Sequence, residues 1–154
     1  MQPNVRSDVI KSIRRRVDPD EYRAIRQLWM AHSIAEDTRD IPGLMATLTE
    51  DCVYTVVNTG TKWHGKAGAT QFYQQLLSSF PDIHFDLQNI VIGPQGVFEE
   101  AFVTGTYEKQ WLDMPAPNGQ RVEFAVTILF PWDPEQKLFT GERVYFFMNF
   151  PLIK

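Results

Sequence analysis

The chain has 154 residues, enough for one domain with a sizeable core. Its 44% hydrophobic and 22% charged content fits a globular domain, and its net charge of −4 argues against a nucleic-acid binder. The single cysteine, Cys52, excludes an internal disulfide and fits a reducing compartment. No apolar run reaches the length of about 18 residues that marks a membrane-spanning helix, and the N-terminus shows no apolar signal core. The expectation is a cytoplasmic protein that binds neither membrane nor nucleic acid. Aromatic content is high at 13%, which implies a bulky core or an aromatic-lined pocket.

Residues 1–17 read as a loose, polar lead-in with a short helical piece, ahead of one domain over 18–154. The basic run at 11–16 (KSIRRR) has no interleaved aromatic and reads as solvated. Asp18-Pro19 then signals a helix start. Over 20–39, Tyr22, Ile25, Leu28 and Trp29 recur at helical spacing, and His32 and Glu36 fall on the same stripe one turn apart. Asp40-Ile41-Pro42-Gly43 breaks this helix before a short second one at 44–48. Residues 51–58 read as a strand, and 59–68 as a Gly-rich loop containing Trp63 and His64. A third helix at 69–80 carries Phe72, Tyr73, Leu76, Leu77 and Phe80, and Pro81-Asp82 ends it.

From residue 83 onward only strand patterns appear. Strands are expected at 83–92 and 97–111, around the turn Gly93-Pro94-Gln95-Gly96. A loop at 113–119 with an Asn-Gly pair leads into a long hairpin, 121–130 and 137–147, around a Pro-Trp-Asp-Pro turn. The predicted class is α+β: a curved antiparallel sheet, one early strand plus a four-strand meander, wrapped around three helices.

Several phrases resemble the SnoaL-like branch of the nuclear transport factor 2-like superfamily: LTEDC at 48–52, HGKAGATQFY at 64–73, FPDIHF at 80–85, VTGTY at 103–107 and GERVYF at 141–146. The resemblance implies a cone-shaped sheet with a cavity between helices and strands, and a homodimer through the outer sheet face. The superfamily includes polyketide cyclases, ketosteroid isomerase, limonene-epoxide hydrolase and scytalone dehydratase, together with noncatalytic binders, so the fold leaves function open. Polyketide cyclases of this kind often carry an Asp after the final Tyr-Phe pair and a His after the Thr-Gly-Thr phrase; this chain has Phe147 and Tyr107 there. The two carboxyl positions of ketosteroid isomerase align with Val56 and Thr127.

Each candidate side chain has a chemical and a structural reading. His32 with Glu36 could form a base unit, a histidine oriented by a carboxylate, or could be a satisfied core histidine beside a solvated glutamate. Trp63 and His64 could border the cavity mouth, or simply plug and tie a loop. Arg143, Tyr145 and Phe147 alternate on one face of the last strand. If that face points inward, Arg143 could hold an oxyanion, with Glu142 facing out; otherwise Arg143 pairs with a carboxylate such as Glu123. Tyr54, Phe72, Tyr107, Trp111, Phe124 and Thr127 are candidate cavity walls or core. No metal-ligand spacing, phosphate-cradling loop or nucleophile context is present, so no cofactor is expected.

Two functional classes remain open. One is an enzyme performing cofactor-free acid/base chemistry on a small hydrophobic, oxygenated molecule, with His32, Glu36, Tyr107 and Arg143 as its catalytic groups. The other is a noncatalytic binding or accessory domain with the same cavity. A dimeric interaction module using the outer sheet face is a weaker third.

Overall fold

Asp18 starts the helix that carries much of the interior chemistry. Its carboxylate accepts the amide protons of Asp20 and Glu21, at 2.7 and 3.0 Å, and Pro19 occupies the first helical turn. The structure, a computed structural model, describes residues 6–16 and 18–147. Residues 1–5 and 17 of the expected lead-in, and 148–154 of the expected domain, lie outside the described residues.

The elements in order are α1 (Arg6–Ile13), α2 (Pro19–Asp37), α3 (Ile41–Ala46), β1 (Leu48–Val56), β2 (Thr61–His64), α4 (Gly65–Ser79), β3 (His84–Gly93), β4 (Gly96–Thr106), β5 (Arg121–Asp133) and β6 (Leu138–Phe147). The strands form one six-stranded sheet in the order β2-β1-β6-β5-β4-β3. β3 to β6 make an antiparallel meander, and β1 joins it by running parallel to β6. The sheet curls around α2 and α4, as expected for an α+β cone.

Local expectations change at several points: β5 runs on to Asp133 through most of the expected Pro-Trp-Asp-Pro turn, α3 begins at Ile41 and α4 at Gly65. The Gly-rich loop holds a further strand, β2, because Thr61 to His64 fold back and pair with Val56 to Val53. β4 ends at Thr106, so Trp111 lies in the loop between β4 and β5 rather than on a strand. Arg15 is not simply solvated: its guanidinium donates to the Pro94 carbonyl and pairs with Glu21 at 2.5 Å, tying the N-terminal segment to α2 and the β3–β4 turn.

β5 alternates strictly, with Val122, Phe124, Val126, Ile128, Phe130 and Trp132 facing the core. β6 does not alternate. Phe139 and Gly141 are buried, and so is Glu142 directly after. The β5–β6 pairing slips by one residue between Leu129↔Arg143 and Trp132↔Phe139, which marks a bulge. Gly141 sits there at φ +119°, and a Cβ on it would lie 2.1 Å from the Val53 carbonyl oxygen. This bulge flips the strand's phase and turns Glu142 inward.

Candidate active site

On α2 the buried face is Ile25, Trp29, His32 and Ala35, with half-buried Glu36 one position further. His32 is 1% exposed and makes three polar contacts. Its Nδ1 is 2.6 Å from Thr47 Oγ1, and the Thr47 hydroxyl is itself donated to the Leu44 carbonyl at 2.7 Å. Thr47 Oγ1 must therefore accept, which fixes a proton on Nδ1. Nε2 faces Glu142 Oε1 at 3.0 Å and the Tyr73 hydroxyl at 3.0 Å.

Glu142 is 2% exposed, and its Oε1 also accepts the Tyr73 hydroxyl at 2.7 Å. Tyr54 completes the chain, its hydroxyl 3.2 Å from that of Tyr73. Because Tyr73 donates to Glu142, Tyr54 donates to Tyr73. Nε2, Glu142 Oε1 and the Tyr73 hydroxyl lie within hydrogen-bond distance of one another, so the interior satisfies these polar groups as one network.

Glu36 is not the hydrogen-bond partner of His32, contrary to the expected i, i+4 unit; Glu142 takes that place from across the fold. Glu36 instead lines a small inner cavity together with Glu142, Phe72, Phe124, Val144 and Phe146. This cavity holds about 10 Å³, room for one water-sized group. Burial, then repulsion from Glu142 and Glu99, raises the Glu36 carboxyl well above the ordinary range, which favours its protonated form. Burial also pushes the Tyr54 and Tyr73 phenols up, which keeps them as donors. Glu99, inward on β4, accepts from Trp29 Nε1 at 2.9 Å, and burial raises it to about 7.

The other expected residues divide by face. Phe72 and Phe124 line the inner cavity, and Tyr54 belongs to the buried network. Trp63 is core, stacked on Trp111 at 6.3 Å and donating its Nε1 to Gln75 at 3.2 Å. Trp111 walls a basin of about 300 Å³ at the mouth, with Val56, Asn58, Thr59, Leu112, Asp113, Met114 and Phe146. Tyr107 lies outside both spaces: it stacks on Phe80 at 5.3 Å, and its hydroxyl accepts the Trp111 amide at 3.1 Å, holding the loop. Exposed Arg143 and Phe147 and half-buried Tyr145 lie on the outer face of β6, because the bulge inverts its alternation; Thr127, on the corresponding face of β5, is also turned away. His64 is exposed at the start of α4 and caps nothing.

Sequence reasoning missed Glu142, Tyr73, Thr47, Glu99 and Phe146 as site groups. A glycine inside a strand pattern was the available signal for a bulge at Gly141, and hence for Glu142. Tyr73, between Phe72 and Leu76 on the buried face of α4, was read only as apolar surface. Among the described residues, no group of three or more His, Cys, Asp or Glu side chains is placed to hold a metal. No described helix is long and apolar enough to cross a membrane.

A search of the curated proteins finds no match. Among solved structures, a candidate SnoaL-like polyketide cyclase from Jannaschia sp. CCS1 superposes with a TM-score of 0.73 at 17% identity, over 86% of this chain and 90% of that one. A candidate polyketide cyclase from Xanthomonas campestris pv. campestris gives 0.65 at 24% identity, over 81% and 91%. TerC, crystallised with polyporic acid, gives 0.66 at 12% identity, over 80% and 92%. At these identities the likeness establishes the fold alone. The SnoaL-like domain family matches residues 27–136, and with more than half of the sequence covered the chain belongs to that family.

Proposed function

We propose that this is a small-molecule protein that performs acid/base proton transfer with two inward carboxyls, Glu36 and Glu142, and without a cofactor. One observation carries the reading: both carboxyls line the same small apolar cavity, yet their surroundings differ. Burial and the neighbouring carboxylates raise the Glu36 carboxyl well above the ordinary range, which favours its proton-donating form. Glu142 is backed by the Tyr73 hydroxyl and by His32 Nε2, so it can accept a proton while the imidazole adjusts. A proton donor and a hydrogen-bonded carboxyl lining one cavity are the two parts that general acid/base catalysis needs. Isomerisation, cyclisation, dehydration and hydrolysis are all served by such a pair, and the candidate polyketide cyclases among the structural neighbours fit this range.

His32 is a positioning residue: Thr47 fixes its ring and its proton, and the ring aims Glu142. The test is turnover, or deuterium uptake from solvent, with a panel of small cyclic ketones and epoxides. Activity in the wild type that Glu36→Gln and Glu142→Gln each reduce at least a hundredfold is the expected result. Unchanged activity in both variants overturns the assignment.

A noncatalytic binder is the second reading, favoured by the size of the inner cavity, which takes only one water-sized group. Wild-type protein that binds the panel but turns over none of it supports this reading over the first. For assembly, we propose a homodimer through the outer sheet face, where Phe98 and Phe102 of β4 and Phe147 of β6 are 41%, 49% and 57% exposed.

A further inference from the structure

We propose that the inner cavity and the basin at the mouth are two halves of one site divided by the Phe146 ring, and that this site admits an uncharged or cationic ring compound and rejects carboxylates and phosphates. The inference rests on Glu36 and Glu142 being the working groups of the site, and it adds the substrate class.

Four observations support it. Phe146 lines both spaces, is only half-buried, and packs edge-on against Phe124 at 5.5 Å and Trp111 at 6.5 Å, so rotation of this one ring joins them. Trp111 borders the basin at 2% exposure, and its Nε1–H has no partner. A buried donor left unmade is costly, and an ether, hydroxyl or carbonyl oxygen from a bound molecule would satisfy it. Next to it Leu112 holds φ +50°, a left-handed backbone that a branched side chain rarely adopts. That backbone is tied by the Trp111 amide to Tyr107 and by the Leu112 carbonyl to Gln110 Nε2 at 3.1 Å.

Charge supplies the specificity. Among the described residues lining either space, none is Lys or Arg. Glu36 and Glu142 lie inside, Asp113 sits on the basin, and one cation, Arg39, bears on Glu36 from outside the lining with its guanidinium held on the Ile83 carbonyl at 2.7 Å. An anion entering through the basin meets the Asp113 carboxylate and no lining Lys or Arg, whereas an ammonium meets that carboxylate and the faces of Phe72, Phe124, Phe146 and Trp111. The dimensions fit a ring system lodged in the basin with one oxygen or nitrogen reaching inward.

The experiment uses the full chain and three ring-matched probes: 2-naphthalenemethanol, 2-naphthylmethylammonium and 2-naphthoate. Binding is followed by the indole Nε1–H resonance of Trp111, assigned with Trp111→Phe, and by the Met114 methyl resonance should that variant not fold. The alcohol and the ammonium are expected to shift both signals, and the naphthoate to bind at least tenfold more weakly. Asp113→Lys is expected to narrow that gap at least threefold. Naphthoate binding as tight as the alcohol, or none of the three probes reaching Trp111, overturns the proposal. Because the readout needs no turnover, the expected binding pattern without catalysis would leave this inference standing and sink only the acid/base reading.

Discussion

His32 Nε2 and Glu142 Oε1 lie 3.0 Å apart in the buried interior although 110 residues separate them in sequence. The contact joins the first long helix to the last strand, so it links the two ends of the fold as well as organising the site. Removing the carboxyl leaves a buried imidazole and a buried phenol without their acceptor. Glu142→Ala is therefore expected to cost roughly 3–5 kcal/mol of stability, as for one member of a buried pair removed. Glu142→Gln keeps an acceptor for Tyr73 and is expected to cost less than half as much. Urea denaturation of both variants checks this; equal, small losses would mean the pair contributes little to the fold.

The contribution of Glu99 to stability should fall as pH rises from acid to neutral, opposite in sign to that of Asp18, Asp82 and Asp133, whose hydrogen bonds hold their carboxyls low. Glu99 titrates at about 7 in the folded state against an ordinary 4.5, so the folded chain holds this proton more tightly than the unfolded chain. That contribution is fully present below 4.5, fades as pH rises towards 7, and is absent above it. At 1.36 kcal/mol per pH unit the window corresponds to about 3 kcal/mol. Glu36, also raised, adds in the same direction. Glu99→Gln keeps an oxygen for Trp29 Nε1 and should flatten the profile, with a gain over wild type at pH 8. Denaturation midpoints at four pH values between 5 and 8 decide it, and parallel slopes for the two proteins would rule out Glu99 as the source.

Much of the fold was legible because its signals are local. The Asp18-Pro19 start, the 3.6-residue stripe through Trp29 and the Gly93–Gly96 turn each depend on neighbours within a few residues. β2 was hidden because Thr61 to His64 pair only with β1, and the glycines around them read as a loop. His32 was legible as a polar residue on a buried stripe. Its true partner was not, since alternation carried on from Phe139 places Arg143 inside and Glu142 outside. One extra residue at Gly141 reverses this, and a bulge depends on how β6 meets β1 and β5, which no single-strand pattern records.

Gly141 is therefore a site-determining residue, although it brings no side chain to the site. Gly141→Ala would bring a Cβ to 2.1 Å from the Val53 carbonyl oxygen and force an unsuitable φ of +119°. A loss of roughly 2–4 kcal/mol is expected from clash and strain together. Gly119→Ala is the matched control: φ is +71° there, but nothing lies within 4 Å. It should lose only about 1 kcal/mol from the backbone preference. Equal losses at both positions would mean that the close approach at Gly141 relaxes freely and does not set the phase of β6.

The outer face of the sheet gives the last prediction. Phe102 on β4 stands opposite Ala125 on β5, which stands opposite Phe147 on β6, so one row across three strands is apolar and open. Phe98 and Leu129 begin a second row that ends in Arg143. Apolar rows interrupted by single charges suit a self-complementary two-fold contact, in which each row meets its own copy. Phe102→Glu would place two like charges near the centre of such a contact while leaving the inward face untouched. Light scattering after size exclusion should show a dimer for the wild type and a monomer for the variant, with unchanged far-ultraviolet circular dichroism. A wild-type monomer at 100 µM, or a variant that remains dimeric, would show that this face does not form the dimer and leave its aromatic rows without a role in assembly.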